Sequence, residues 1–234
     1  MLYRNKGWYR YMKKTEFNKY LRDCFKLVSV TRKAKSTICG VYKKERDYFW
    51  SLYHTSGSGG RNVAILIKPW KFDELLLNIT HPGEDIRFTD IRRFDGFCAM
   101  SSYTVKEMFF EYPLLAGTER EIDYNKIPEW CESVFEQSLN VLDKFIDVVE
   151  ADYGSLEKYH IAHAGTDLLN AAFSYVALED YDNAEILLLK ATEQGIGYNF
   201  VYGNSFRDLR DVLIDYCRAK KNGKTWTRDM VLKQ

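Results

Sequence analysis

The chain has 234 residues, 46% of them hydrophobic and 29% charged, with a formal net charge of +1, enough apolar material for one large core or two small ones. No run of about 18 apolar residues could span a bilayer, and residues 1–14 lack the apolar stretch of a secretion signal, which predicts a cytoplasmic protein with no membrane partner. The five cysteines, Cys24, Cys39, Cys98, Cys131 and Cys217, are odd in number and dispersed without a CxxC pair, so buried reduced thiols are expected, and no cofactor.

Residues 1–11 interleave Tyr3, Trp8, Tyr9 and Tyr11 with Arg4, Lys6 and Arg10, forming a basic aromatic arm compatible with base stacking. The first helix is predicted to start at Thr15, placed as an N-cap hydroxyl, with Phe17, Tyr20, Leu21, Cys24, Phe25 and Val28 making an apolar stripe. Lys19, Arg22 and Lys26 then face water.

Between Thr37 and Tyr112 the pattern turns to short runs rich in Tyr, Phe, Trp, Val and Ile, which favour strands. Five are expected: Thr37 to Lys43, Asp47 to His54, Val63 to Lys68, Phe94 to Met100 and Tyr103 to Tyr112. Lys44-Glu45-Arg46 reads as a hairpin link and Ser56-Gly57-Ser58-Gly59-Gly60 as a flexible loop. A short helix from Phe72 to Ile79 carries Asp73 and Glu74 at its N-terminal dipole, and is expected, like the first helix, to pack on the sheet.

After Pro113 the character is helical. Pro128 suits the first turn of a helix striped with Phe135, Leu139, Leu142, Phe145, Ile146 and Val149, and Gly154 ends it. Ser155 starts a shorter helix through Ala164. Ser205 and Asp208 have capping-box-like spacing ahead of a helix carrying Phe206, Leu209, Val212, Leu213, Tyr216 and Cys217, with Asn222-Gly223 as its stop.

The most specific pattern spans Gly165 through Tyr198. Leu168, Ala172, Tyr175 and Leu178 fall at helical spacing, Glu179-Asp180 reads as a turn, and Tyr181, Ala184, Leu188 and Ala191 continue on a second segment. Small alanines let two helices approach closely while the larger side chains fill between them. This window resembles one tetratricopeptide repeat, with Ile196 where the family has proline. The resemblance implies a helical hairpin that must be covered by other parts of the chain, because one such pair cannot bury its apolar face alone.

The net charge conceals a division. Residues 1–80 hold 17 Lys or Arg against 6 Asp or Glu, residues 81–200 hold 9 against 23, and the last 34 residues hold 8 against 4. One reading is mutual neutralisation within the fold. A second is nucleic-acid binding through Lys13, Lys14, Arg32, Lys33 and Lys35, with a strong salt dependence. A third is a protein interface made by Glu129, Glu132, Glu136, Asp143 and Asp147, which suits a basic partner; their alternative role is the solvated face of a helix.

Catalytic signals are weaker. His160 and His163, three apart, share a helix face as a metal-binding pair could, with Asp152, Glu157 and Asp167 near in sequence; one packed and one solvated imidazole is the alternative. Asp90, Arg92, Arg93 and Asp95 alternate charge along a strand edge, either as surface pairs or as a polar pocket with Glu107 and Glu111. The glycine-rich loop lacks the lysine of a phosphate-binding loop, and no cysteine has a local histidine partner that would mark a nucleophile.

The expected fold is α+β: the arm at 1–11, a domain at 12–117 with an N-terminal helix and antiparallel sheet, and a helical region at 118–234 packed on it and containing the tetratricopeptide-like hairpin. With the N-terminal helix and antiparallel sheet, the Lys-Pro-Trp-Lys-Phe-Asp-Glu-Leu run from Lys68 and the Arg-Arg-Phe-Asp-Gly-Phe strand from Arg92 make residues 12–112 similar to small bacterial proteins of uncharacterised or immunity-like families. That resemblance implies a non-enzymatic protein that binds, and neutralises, a protein effector. An enzyme with an unrecognised site is the remaining alternative.

Overall fold

A computed structural model describes residues 12–37, 40–84, 102–118, 121–197, 199–202 and 205–232. The basic arm, the Phe94 to Met100 run and the Asp90, Arg92, Arg93, Asp95 cluster lie outside these residues, as do Cys39 and Cys98. The chain forms two units that do not follow sequence order: Met1–Glu45, Trp50–Ile67 and Thr104–Phe145 in the first, Arg46–Phe49, Lys68–Tyr103 and Ile146–Gln234 in the second. The expected boundary at 117 follows sequence order, whereas each of these units draws on three stretches of the chain.

The first unit begins with helix α1, Lys14–Thr31, whose buried Phe17, Leu21, Cys24, Phe25 and Val28 recur every three or four residues and so share one face. The helix starts ahead of the expected cap: Lys13 is the N-cap, its N–H donates to Glu16 Oε2 at 3.3 Å, and Thr15 sits inside the first turn. Its end is closed by Lys33 at φ 55 and by the Ala34 N–H to the Ser29 carbonyl at 2.9 Å.

Strands β1 (Lys35–Thr37), β2 (Gly40–Glu45), β3 (Tyr48–Gly57), β4 (Gly60–Pro69) and β5 (Tyr103–Glu111) make an antiparallel sheet in sequential order, so the α+β class stands. The first pair is registered by Lys35 opposite Tyr42 and Ser36 opposite Val41. Helix α1 packs on β1 and β2. Val63, Ile65 and Ile67 alternate inward along β4 with essentially no exposure, the period of a half-buried strand.

Both turns are tighter than the sequence suggests. Between β2 and β3 only Arg46-Asp47 turn, with Arg46 at φ 52. The expected five-residue glycine loop is two strand ends joined by Ser58-Gly59, Gly59 lying at φ +74. Gly60 has a different reason to be glycine, since a Cβ there would run into the Phe110 carbonyl of β5.

Helix α3, Ile127–Val148, follows a short 3-10 turn at Tyr124–Lys126 in which the Asp123 side chain accepts from the Asn125 N–H. Pro128 occupies the first turn as expected, and Ile127, Cys131, Val134, Phe135, Ser138 and Leu142 face inward. The helix widens into a π-turn at Val149–Tyr153 and ends at left-handed Gly154, φ 75.

In the second unit helix α2, Phe72–Thr80, joins a helical core, where Phe72, Leu76 and Ile79 pack with Phe173, Leu188 and Val212 of the helices that follow. Helices α4 (Leu156–Ala162), α5 (Leu168–Ala177) and α6 (Tyr181–Glu193) are capped by Ser155, Asp167 and Asp180, each accepting from a backbone N–H three residues on. α5 and α6 form the hairpin predicted from the alanine spacing. Ala172, Ala184, Leu188 and Ala191 are wholly buried, whereas Leu178, expected in that pattern, is 45% exposed because the chain has already left the helix at Glu179, φ 61.

The far side of α6 is covered by α7, Leu209–Lys221. The helix begins later than the expected capping box: Ser205–Asp208 is strand β7, paired with β6 at Asn199–Tyr202, and Asp208 is the N-cap. Gly223 at φ 63 follows the C-cap Asn222, the predicted stop, and α8 spans Arg228–Val231. Trp226 closes the core by donating its indole N–H to the Ile79 carbonyl at 2.7 Å.

Candidate functional site

Helix α3 buries its apolar stripe and therefore turns the opposite side to solvent. Glu129, Glu132, Glu136, Asp143 and Asp147 are all exposed there, at successive spacings of three, four, seven and four residues that keep them on one side of a helix. From first to last the row extends about 27 Å at 1.5 Å per residue. Glu136 is engaged by Arg32, whose Nη2 donates to its Oε1 at 2.8 Å with the two side chains 51% and 63% exposed. Such a pair contributes about 0.2–1 kcal/mol and exchanges with solvent easily, so it does not remove the carboxylate from reach.

The residues expected for nucleic acid are not gathered. Lys13 and Lys14 stand exposed at the start of α1, Arg32 and Lys33 just past its end and Lys35 on β1, so an 18-residue helix of about 27 Å separates the two groups. Between them Lys19 and Lys26 are exposed and Arg22 half-buried. The same Arg32 that would contact phosphate pairs with Glu136, one instance of the two charge blocks meeting inside a unit. The second unit repeats this with Arg46 bonded to both Glu150 carboxylate oxygens at 2.8 Å, and with Arg218 and Lys221 on Glu185 at 2.6 and 3.0 Å. Those last two cations hold the Glu185 carboxyl below its ordinary pKa.

His160 and His163 are employed within the second unit. Ser174 Oγ donates to the Asn170 carbonyl at 2.7 Å, so at 3.0 Å it accepts from His160 Nδ1–H and leaves Nε2 as a bare, buried lone pair. Burial in this setting pulls the His160 pKa down to about 4. His163 donates from Nδ1 to the Tyr159 carbonyl at 2.8 Å and its ring stacks on Tyr159 at 4.2 Å. The neighbouring acids are occupied elsewhere, Glu157 by Lys71 at 2.8 Å and Asp167 as the cap of α5. Among the described residues no three His, Cys, Asp or Glu side chains converge as metal ligands.

Cys24, Cys131 and Cys217 are free and buried. Hydrogen bonding to Cys24 and then burial push the Cys131 thiol far above its usual value, the same bond lowers that of Cys24, and burial raises that of Cys217 to about 12. Glu107 and Glu111 are exposed along β5, and the Asp90, Arg92, Arg93, Asp95 cluster expected with them lies outside the described residues.

The most unusual electrostatic feature went unnoticed in the sequence. Lys68 and Asp73 are both 0% exposed, paired Nζ to Oδ1 at 2.6 Å, with the ammonium 5.2 Å from the Phe49 ring centroid. A lysine ending the apolar run Val63 to Ile67, followed five residues later by an acid in the first turn of a helix, is the signal that could have disclosed it.

No protein-family model, curated protein or solved structure matches this chain.

Proposed function

We propose that this chain is a non-enzymatic protein-interaction protein that presents the outer face of α3 to a basic protein partner, in the manner of an immunity-like protein neutralising an effector such as a nuclease. The observation that supports the reading is the row of five exposed carboxylates along one rigid helix. Surface charge of one sign in a line steers a complementary partner and sets its register, acting mainly on the association rate. A 22-residue helix held by its buried face fixes those charges in place before binding.

Affinity capture from native-host lysate at low and high salt tests it. The expected result is one stoichiometric basic protein that is retained by the wild type and lost by a Glu132→Lys, Glu136→Lys, Asp143→Lys variant. These positions are exposed, so the variant should stay folded, as circular dichroism would check. An unchanged set of captured proteins would overturn the reading, and salt-sensitive nucleic acid without such a protein would replace it.

A further inference from the structure

Within the first unit a small pocket of about 30 Å³ is lined by Asn18, Arg22, Phe25, Gly40, His54 and Arg61. Arg61 reaches along α1, where its Nη2 donates to Asn18 Oδ1 at 2.8 Å. Its Nε, wholly buried, has no acceptor. His54 is 9% exposed and stands against the edge of the Phe25 ring, centroids 4.4 Å apart, and its buried Nε2 is likewise without a partner. Among the described residues neither Arg22 nor Arg61 has a carboxylate within salt-bridge distance.

Two buried nitrogens without partners in one pocket are a specific chemical request. An unmet buried donor costs about 1–3 kcal/mol, more when it belongs to a charged group, so such atoms are ordinarily satisfied by protein, water or ligand. Arg61 Nε–H can only donate. A cation would be repelled by two guanidinium groups, and an apolar ligand would leave both nitrogens unmet. An anion with oxygen acceptors meets Arg61 Nε–H, meets His54 in its Nε2–H form and neutralises the local positive charge in a single step.

Size narrows the class. One water needs about 10–15 Å³ measured in this way, so the space holds about two oxygen atoms side by side. That suits the two oxygens of a carboxylate with the rest of the acid outside the open side, while a phosphate would seat only part of its tetrahedron. We propose that this pocket is a carboxylate-binding site in which Arg61 and His54 bind the oxygens and Arg22 supplies the second positive charge. The carboxylate comes either from a small free acid or from an acidic side chain of a polypeptide. Burial and the Arg61 charge hold the His54 pKa at about 3, so its imidazole is neutral before the carboxylate arrives. The site stands apart from the α3 face, and its test does not depend on any partner of that face.

The experiment is a titration of the full chain with acetate, formate, N-acetyl-aspartyl amide and inorganic phosphate, followed by the His54 ring resonances in NMR. Ionic strength is matched with a bulky sulfonate salt. Saturable, one-to-one shifts of His54 with acetate or formate, and weaker ones with phosphate, are expected. Tighter binding of the aspartyl amide assigns the site to a side chain, and tighter binding of acetate to a free acid. Arg61→Gln should weaken binding at least about tenfold, the effect of losing one charge-assisted hydrogen bond. Should that variant fail to fold, Arg22→Gln at the half-exposed rim should weaken it in the same direction. No His54 response to acetate and formate up to about 100 mM, a level that saturates a millimolar site, or equal responses in both variants and wild type, would overturn the proposal.

Discussion

His160 shows how one side chain can link burial to pH. It is 2% exposed among Phe72, Tyr103 and Tyr159, and its free nitrogen has no partner to share a proton with. With its folded pKa near 4 against an ordinary value of 6.5, the unfolded chain binds the proton more readily between those values. Stability is therefore full above about pH 6.5 and falls as the pH drops toward 4, by about 1.4 kcal/mol per pH unit. Urea unfolding at pH 7 and pH 5 should show this loss, about 2 kcal/mol from this residue, and His160→Gln should reduce the slope. His54 adds a loss of the same sign that continues toward pH 3. The Lys68–Asp73 pair is a residue-scale liability of another kind. Removing one partner takes this ion pair from the other charge in a site with no exposure, so Asp73→Ala should cost about 3–5 kcal/mol, whereas Lys68→Met with Asp73→Leu should cost much less. Denaturant midpoints of the single and double variants would separate the two outcomes.

At the scale of elements, the hairpin of α5 and α6 is the part most legible beforehand. Its buried alanines and the turn at Glu179-Asp180 are local spacing that sequence displays directly, while the caps Asp167 and Asp180 emerge only from the structure. Leu188 is 0% exposed in the cluster shared with Phe173, Val212 and Leu213. Leu188→Ala should therefore cost about 2–5 kcal/mol, read from the shift of the unfolding midpoint, and a loss near zero would contradict that packing. Strand boundaries were less legible. The Ser56 to Gly60 stretch reads as a loop by composition, but Ser56 and Gly57 continue β3 and Gly60 opens β4, because the two strands pair with each other up to the Ser58-Gly59 turn. α2 was expected on the sheet, yet its Phe72, Leu76 and Ile79 belong to the helical core, a choice its own periodicity cannot make.

For the whole molecule the decisive arrangement is the meeting of charges that lie far apart in sequence. Arg32 meets Glu136 and Arg46 meets Glu150, each pair separated by 104 residues, so the basic first third and the acidic middle are partly internal complements. These pairs are exposed and individually weak, so raising salt from about 0.05 M to 0.5 M should change the unfolding free energy by less than about 1 kcal/mol. Chemical denaturation at the two salt concentrations checks this. Binding to a basic partner through α3 should respond far more, because steering acts over longer distances in open solvent. A salt-insensitive association rate would count against that interface.

The sequence by itself determined the α+β class, the helix stripes, the start at Ser155 and the stops at Gly154 and Gly223, because each depends on residues within a turn or two of one another. It also marked the five carboxylates of α3, since their spacing and the buried stripe opposite are properties of one helix. Only the tertiary structure decided that the two units interleave along the chain, that Lys68 and Asp73 lose all exposure, and that His54 and Arg61 leave two nitrogens unmet in one pocket. Those outcomes depend on which surfaces meet after the elements form, and local periodicity carries no information about that.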